Sequence, residues 1–217
     1  METLCFFFLI IFTITFANAQ IMITNCTELQ MMQTGSSSSP VKYTLANDID
    51  CSTIANFIPI GNYSFPFYGE IDGQGYSIYN LKINTSGNAG LIGYSGDCNI
   101  SNIVLSNCSI TSSSSSSSYS GGMVGITNSA IIANCFVINC SITSSSTPSC
   151  SYAGGLIGNA NFVTTIANCF VQCLKCCSLQ SIQSVLHFQK YLSSSCKLSI
   201  LVRQFLHRMD LRSFQWE

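Results

Sequence analysis

The sequence predicts an all-β fold, a parallel β-helix built from coils of about 32 residues, with a short α-helical or disordered C-terminal tail. Three observations predict it. Glu, Lys, Arg and Ala, the usual surface helix formers, are scarce, and charged residues make up only 8% of the 217. A glycine-bounded apolar tetrad recurs at spacings of 32 and 33 residues. Behind each tetrad comes a block whose apolar residues are too unevenly spaced for one straight strand.

Composition bounds the functional classes. Eight basic and nine acidic side chains leave a net charge of −1, so a basic nucleic-acid-binding surface is excluded. Solubility rests instead on Ser, Asn, Thr and Gly. At the N-terminus, Leu4 to Phe16 is an apolar run of thirteen residues followed by Ala17-Asn18-Ala19. A helix of that length rises about 20 Å, short of a hydrocarbon core of about 30 Å. Residues 1–19 are therefore expected to be a secretory signal peptide, although Glu2 stands where a basic residue is usual. No later segment reaches membrane-spanning length without a charge, so the mature chain is expected to be secreted or displayed at the cell surface. Of thirteen cysteines, twelve remain after cleavage. In an oxidising compartment Cys26 and Cys51, which bracket the first mature segment, are the candidate disulfide.

The tetrads are Gly90-Leu91-Ile92-Gly93, Gly122-Met123-Val124-Gly125 and Gly155-Leu156-Ile157-Gly158. The block behind the second runs Ile132, Cys135, Val137, Cys140, Ile142, at steps of three, two, three and two. A strand turns every second side chain to one face, so each three-step holds one extra residue, a corner. Asn134 and Asn139 occupy those corners, and Asn tolerates the left-handed backbone of a tight bend. Stacking such blocks about 4.8 Å apart places Ile100, Ile132 and Ile166 in one inward ladder and Leu105, Val137 and Val171 in another. Cys108 and Cys140, like Cys135 and Cys169, fall at inward positions and read as small buried hydrophobes. Asn102, Asn134 and Asn168 are expected to form a side-chain amide ladder, as are Asn107 and Asn139. The serine runs, Ser112 to Ser118 and Ser144 to Ser146, are expected to be solvated loops at one corner.

The segments Gly121 to Gly125 (Gly-Gly-Met-Val-Gly) and Gly154 to Gly158 (Gly-Gly-Leu-Ile-Gly) resemble the GLUG motif of bacterial surface adhesins and of the N-terminal regions of some immunoglobulin-A-cleaving metalloproteases. The preceding Tyr43-to-Cys51, Phe57-to-Gly61 and Phe67-to-Leu81 segments agree with the leader that often precedes such repeats. The resemblance covers roughly residues 21–171. It implies a right-handed β-helix with a surface or secreted role and carries no catalytic residues. The domain expected on this basis is 20–171.

From Gln172 to Glu217 there is no Gly and no Asn, while six of the eight basic residues and both histidines lie there. Leu179, Ile182 and Leu186 suggest one amphipathic helix; Leu198, Leu201, Val202, Phe205 and Met209 suggest another. This tail, 172–217, reads as a helical cap, as a metal site through Cys173, Cys176 and His187, or as a segment foreign to the domain. The abrupt break inside a coil favours the last.

Many β-helices cleave polysaccharides through paired carboxylates. Asp48 with Asp50, and Glu70 with Asp72, have suitable spacing, but both pairs belong to the leader pattern and read as turn residues. Asp72-Gly73-Gln74-Gly75 likewise reads as a tight turn and not a phosphate loop. The chain is therefore expected to be a non-enzymatic scaffold, adhesive or structural, without cofactor or metal, whose partner is an extracellular ligand, a glycan or a protein. A carbohydrate-active enzyme, or a fragment of a larger surface protein, is the alternative. Six Asn-x-Ser/Thr sequons occur. Asn25, Asn62, Asn84 and Asn99 are the N-glycosylation candidates, and Asn107 and Asn139 are set aside as packed corners.

Overall fold

The computed structural model describes residues 20–146 and 150–177, with side chains through Leu174. The expected leader at 1–19, the two expected tail helices and the proposed ligand His187 lie outside the described residues. Everything described belongs to one unit, Met1–Ser181.

A lead-in comprises β1 (Ile21–Ile23), the helix α1 (Cys26–Gln30), β2 (Val41–Leu45) and β3 (Ile49–Asp50). Then come β4 (Phe67–Asp72), β5 (Ser77–Tyr79) and β6 (Lys82–Thr85), followed by β7 (Ile92–Ser101), β8 (Val104–Ser106) and β9 (Ser109–Ser114). The next turn has β10 (Ser118–Gly121), β11 (Val124–Ala133) and β12 (Phe136–Ser146). The last has β13 (Ser151–Gly154), β14 (Ile157–Ala160), β15 (Thr164–Ala167) and β16 (Phe170–Cys177). The result is the expected all-β parallel solenoid, of about four turns. One wall is the sheet β1-β2-β4-β7-β11-β14, with β15 also on β11. A second joins β3, β5, β8, β12, β9 and β6, with β16 on β12, and a third is the pair β10-β13.

Inward residues line up turn over turn. Tyr43, Ile71, Ile100, Ile132 and Ile166 are in register, as are Ile49, Ile78, Leu105, Val137 and Val171. A third ladder, Ile83, Ile110 and Ile142, completes the section. All are buried except Ile166 and Val171 of the last turn, which are half-buried. Each fully buried aliphatic side chain contributes about 1.5–3 kcal/mol, so these ladders hold the turns together.

The corners are where the amide spacing places them. Asn102, Asn107, Asn134, Asn139 and Asn168 all have φ between 52° and 56°. Gln74 and Gly75 also have positive φ, and the Tyr76 N–H bonds to the Gly73 carbonyl at 2.8 Å, which makes 73–76 a tight turn. The glycine tetrads have a steric cause. A Cβ on Gly125 would stand 2.7 Å from the Gly93 carbonyl oxygen, and one on Gly122 would stand 2.4 Å from that of Gly155. Neighbouring turns press backbone on backbone there, leaving no room for a side chain.

Two expectations are corrected. The serine runs are not simply solvated loops. Strand β9 runs to Ser114 and β12 to Ser146, and Ser112 and Ser118 are fully buried. The solenoid also does not stop at 171, because β16 pairs with β12 as far as Cys177. Backbone pairing needs no particular composition, so the change in residue usage does not end the strand. It leaves a different mark. Ile138 faces Gln172 and Cys140 faces Cys173, so the corner residue Asn139 has no counterpart and the register shifts on either side of Cys140.

Candidate functional surface

The carboxylates come first, since enzyme chemistry would require them. Asp48 accepts the Ser77 N–H at 2.7 Å. Asp50 accepts from the Asn80 side chain and from the Ser52 N–H, each at 2.9 Å, and these bonds, the Asn80 one foremost, hold its pKa below the ordinary value. Asp72 accepts the Gln74 N–H at 3.0 Å, the Asn102 amide at 2.9 Å and the Gln74 side chain. Glu70 pairs with Lys42 at 3.2 Å, both partly exposed. Glu28 accepts the Thr24 N–H at 2.7 Å and its hydroxyl at 2.9 Å, which lowers its pKa, while Asn25 caps α1 through the Glu28 N–H. Five of the six carboxylates between 20 and 171 therefore hold a turn, a cap or an ion pair. Among the described residues no three His, Cys, Asp or Glu side chains are grouped to hold a metal.

The cysteines divide into two kinds. Cys26 and Cys51 form a buried disulfide with Cα atoms 5.2 Å apart, tying α1 to the end of β3. The ladder cysteines instead fill corners. The Cys135 thiol donates to the Ala133 carbonyl at 3.3 Å, the Cys140 thiol to Ile138 at 3.3 Å and the Cys169 thiol to Ala167 at 3.3 Å. Each reaches two residues back across the bend. The Cys108 N–H meets the Cys140 sulfur of the next turn at 3.4 Å. Burial pushes the Cys98 thiol up to about 11. Cys169, half-buried on the last turn, is lowered to about 7 by its interaction with the Cys135 thiol, and Cys135 is correspondingly raised.

The sequons are spread around the rod. Asn62 and Asn84 are exposed, and Asn62 holds its loop by accepting the Ser64 and Phe65 N–H groups at 2.9 and 3.0 Å. Asn25 is exposed at the helix cap, and Asn99 is half-buried on β7 between Glu70 and Ile131. Asn107 and Asn139 are at corners as expected, but their side chains are exposed and not packed.

Two shallow open grooves cross the second wall. One, of about 530 Å³, is lined by Asn56, Lys82, Asn84, Ser109 and Thr111; the other, of about 310 Å³, by Ser113, Ser114, Ser145 and Ser146. Beneath this face the buried serines bond to one another. The Ser118 hydroxyl meets those of Ser112 and Ser144, each at 2.7 Å, Ser112 donates to the Gly87 carbonyl, and Ser120 donates to Thr143 at 2.7 Å. Strand alternation carries the signal: Ser112 stands two residues after the inward Ile110, so it too points inward.

Sequence reasoning missed a lengthwise column along the first wall, which holds Tyr94 on β7 and Asn128 on β11. The ring of Tyr63, 82% exposed, stands edge-on to that of Tyr94 with centroids 5.6 Å apart. Tyr94 Oη donates to Asn128 Oδ1 at 3.0 Å, and Asn161 Nδ2 donates to the same oxygen at 3.1 Å. Asn159 Nδ2 in turn donates to Asn161 Oδ1 at 2.9 Å. Asn128 and Asn161 each stand three residues after a tetrad, but Tyr94 stands one after and Tyr63 precedes the first tetrad, so the repeat does not mark the whole column.

No protein-family model matches the chain, and no curated protein matches it. The GLUG resemblance thus rests on the residues that carry it. Among solved structures the chain is similar to a putative immunoglobulin A1 protease from Bacteroides ovatus, with 17% identity over 70% of this chain and a TM-score of 0.35. It spans 66% of that protein's length. A likeness of that size carries no weight for function.

Proposed function

We propose that the chain is a secreted or cell-surface, non-enzymatic β-solenoid scaffold of adhesive or structural kind, a member of the GLUG-type repeat proteins. The observation that carries this reading is the use of its carboxylates. The two pairs that could serve acid–base catalysis are committed to the Ser77, Ser52, Asn80, Gln74 and Asn102 donors and to the Lys42 ion pair. What remains on the surface is a long array of Ser, Thr, Asn and Tyr, suited to contact and not to bond cleavage. The disulfide and the signal-like N-terminus support an oxidising, extracellular setting. No helix among the described residues is long and apolar enough to cross a membrane. In a glycosylating host, Asn62 and Asn84 are the sequons best placed to carry glycans. The test is to express the full chain with its own N-terminus, assay medium and cell surface for it, and incubate it with polysaccharides while following new reducing ends. Accumulation outside the cell with no cleavage is expected. Retention inside the cell, or steady release of reducing ends, would overturn the reading.

A further inference from the structure

We propose that the column Tyr63, Tyr94, Asn128 and Asn161 is a binding site for an uncharged oligosaccharide or polysaccharide. The inference rests on the scaffold reading above and adds to it a ligand class and a place. Four features favour this ligand.

The first is an aromatic face open to solvent. Tyr63 is 82% exposed and is held from two sides, by the edge-on ring of Tyr94 and by a loop closed through the Asn62 side chain and the 3.0 Å Asn62 N–H to Phe65 carbonyl bond. A fixed, exposed ring offers its face to the C–H side of a sugar ring without a large ordering cost. The second is an amide beside it. Asn128 Oδ1 accepts two hydrogen bonds, from Tyr94 and Asn161, which fixes the orientation of that amide. Its Nδ2 keeps both N–H donors for a ligand, and Asn159 Oδ1 supplies an acceptor on the next turn, the pair of functions that neighbouring sugar hydroxyls require.

The third feature is charge. No side chain of the column is ionisable near neutral pH, and in a chain with so few charges the column offers nothing to hold an anionic polymer by ion pairing. The fourth is length. The column crosses four successive turns, three steps of about 4.8 Å, or about 14 Å in all, which suits a run of sugar rings better than a single small molecule. Exposed Phe162, whose N–H bonds to the Asn128 carbonyl at 2.9 Å, adds a second aromatic group at the far end. An apolar protein partner would leave these fixed amides to be desolvated without matching groups, whereas hydroxyls satisfy them.

The experiment uses the full chain made without N-glycans, so that no sugar on Asn62 competes. Native affinity electrophoresis is run in gels containing soluble starch, mannan or laminarin, with chondroitin sulfate as the anionic comparison and fibronectin-coated wells as the protein comparison. Retardation by at least one neutral polysaccharide is expected, weakened about tenfold by Tyr63→Ala and by Asn128→Ala. Tyr119→Ala, in the stacked pair with Tyr152 on another wall, should leave it unchanged. Because Tyr63 is so exposed, Tyr63→Ala should also keep the parent melting temperature. Overturning results are the absence of retardation in every neutral gel, retardation that survives Tyr63→Ala, or binding confined to chondroitin sulfate or fibronectin. Those results leave the scaffold reading standing, since it is judged by location and by cleavage.

Discussion

The side-chain amide of Asn134 donates to that of Asn102, one turn away in the stack, at 3.0 Å. Both residues are in the left-handed region, at φ 53° and 56°. Asn168 continues the series by donating to Asn134 at 3.3 Å, and Asn102 donates to Asp72 at 2.9 Å. At Asn102 and Asn134 one residue type thus meets two demands, since its backbone accepts the bend and its amide bonds to the turns on either side.

This double role makes the corner testable. Asn134→Val should destabilise the solenoid by about 2–3 kcal/mol, combining the left-handed penalty on a β-branched residue with a lost hydrogen bond. Asn134→Gly keeps the backbone freedom and should cost less than half as much. Urea titration of the two variants separates the contributions, and equal midpoints would contradict the bend as the main cause.

Inward and outward positions should differ sharply. Val137 is fully buried in the second ladder and Ser115 is exposed. Val137→Asp places an unpaired carboxylate between turns and should abolish cooperative folding. Ser115→Asp should stay within about 0.5 kcal/mol of the parent. Thermal melts followed by circular dichroism are sufficient to compare them.

Much of the architecture was legible because a solenoid writes its period into the chain. The offsets of Ile132, Cys135, Val137 and Cys140 encode strand and corner directly, and the Asn ladder follows from stacking equal blocks. What was not legible came from departures from the period. Ser112 and Ser118 look like low-complexity filler, yet their hydroxyls bond to each other and to the Ser144 hydroxyl and the Gly87 carbonyl, so they can be buried at little cost. The strand beyond Val171 was hidden because pairing there is by backbone, with Asn139 left unmatched. Asn128 and Asn161 follow their tetrads at one offset, but Tyr94 follows its tetrad at another and Tyr63 precedes the first tetrad, so only the folded structure brings all four into one column.

The serine network should behave as a core element. Ser118→Ala removes the hydroxyl with little change in volume and leaves the Ser112 and Ser144 hydroxyls without that partner, at a cost of about 1–3 kcal/mol. A melting temperature equal to the parent would show these serines to be peripheral.

The disulfide closes a stretch with a sequence separation of 25 residues. In the chain-entropy account, removing it with the double change Cys26→Ser and Cys51→Ser should cost about 3 kcal/mol. The loss should be confined to the lead-in end, so hydrogen exchange should quicken in β1 and β2 more than in β11 and β12. Uniform quickening would mean that the solenoid unfolds as one unit.

The thiols should separate by reactivity. Cys169 is half-buried and lowered to about 7 by its interaction with the Cys135 thiol, whereas burial raises Cys98 to about 11 and Cys135 is raised by the same pairing with Cys169. The thiolate is the nucleophile, so in the folded chain iodoacetamide should modify Cys169 with a midpoint near pH 7 and leave Cys98 and Cys135 intact until urea unfolds the protein. The sign for stability follows from the direction. A thiol lower in the folded state than its ordinary 9.0 contributes stability that is fully present above pH 9 and is lost as pH falls through about 7. The raised thiols act oppositely, with stability present below pH 9 and lost as pH climbs through their folded values. Stability should therefore rise from pH 7 toward 9 and then decline, and Cys169→Ser should remove the rise while keeping the decline. Peptide mass spectrometry of alkylated protein reads the first claim and urea midpoints across pH the second. Modification of Cys135 ahead of Cys169 would reverse the order of the two thiols.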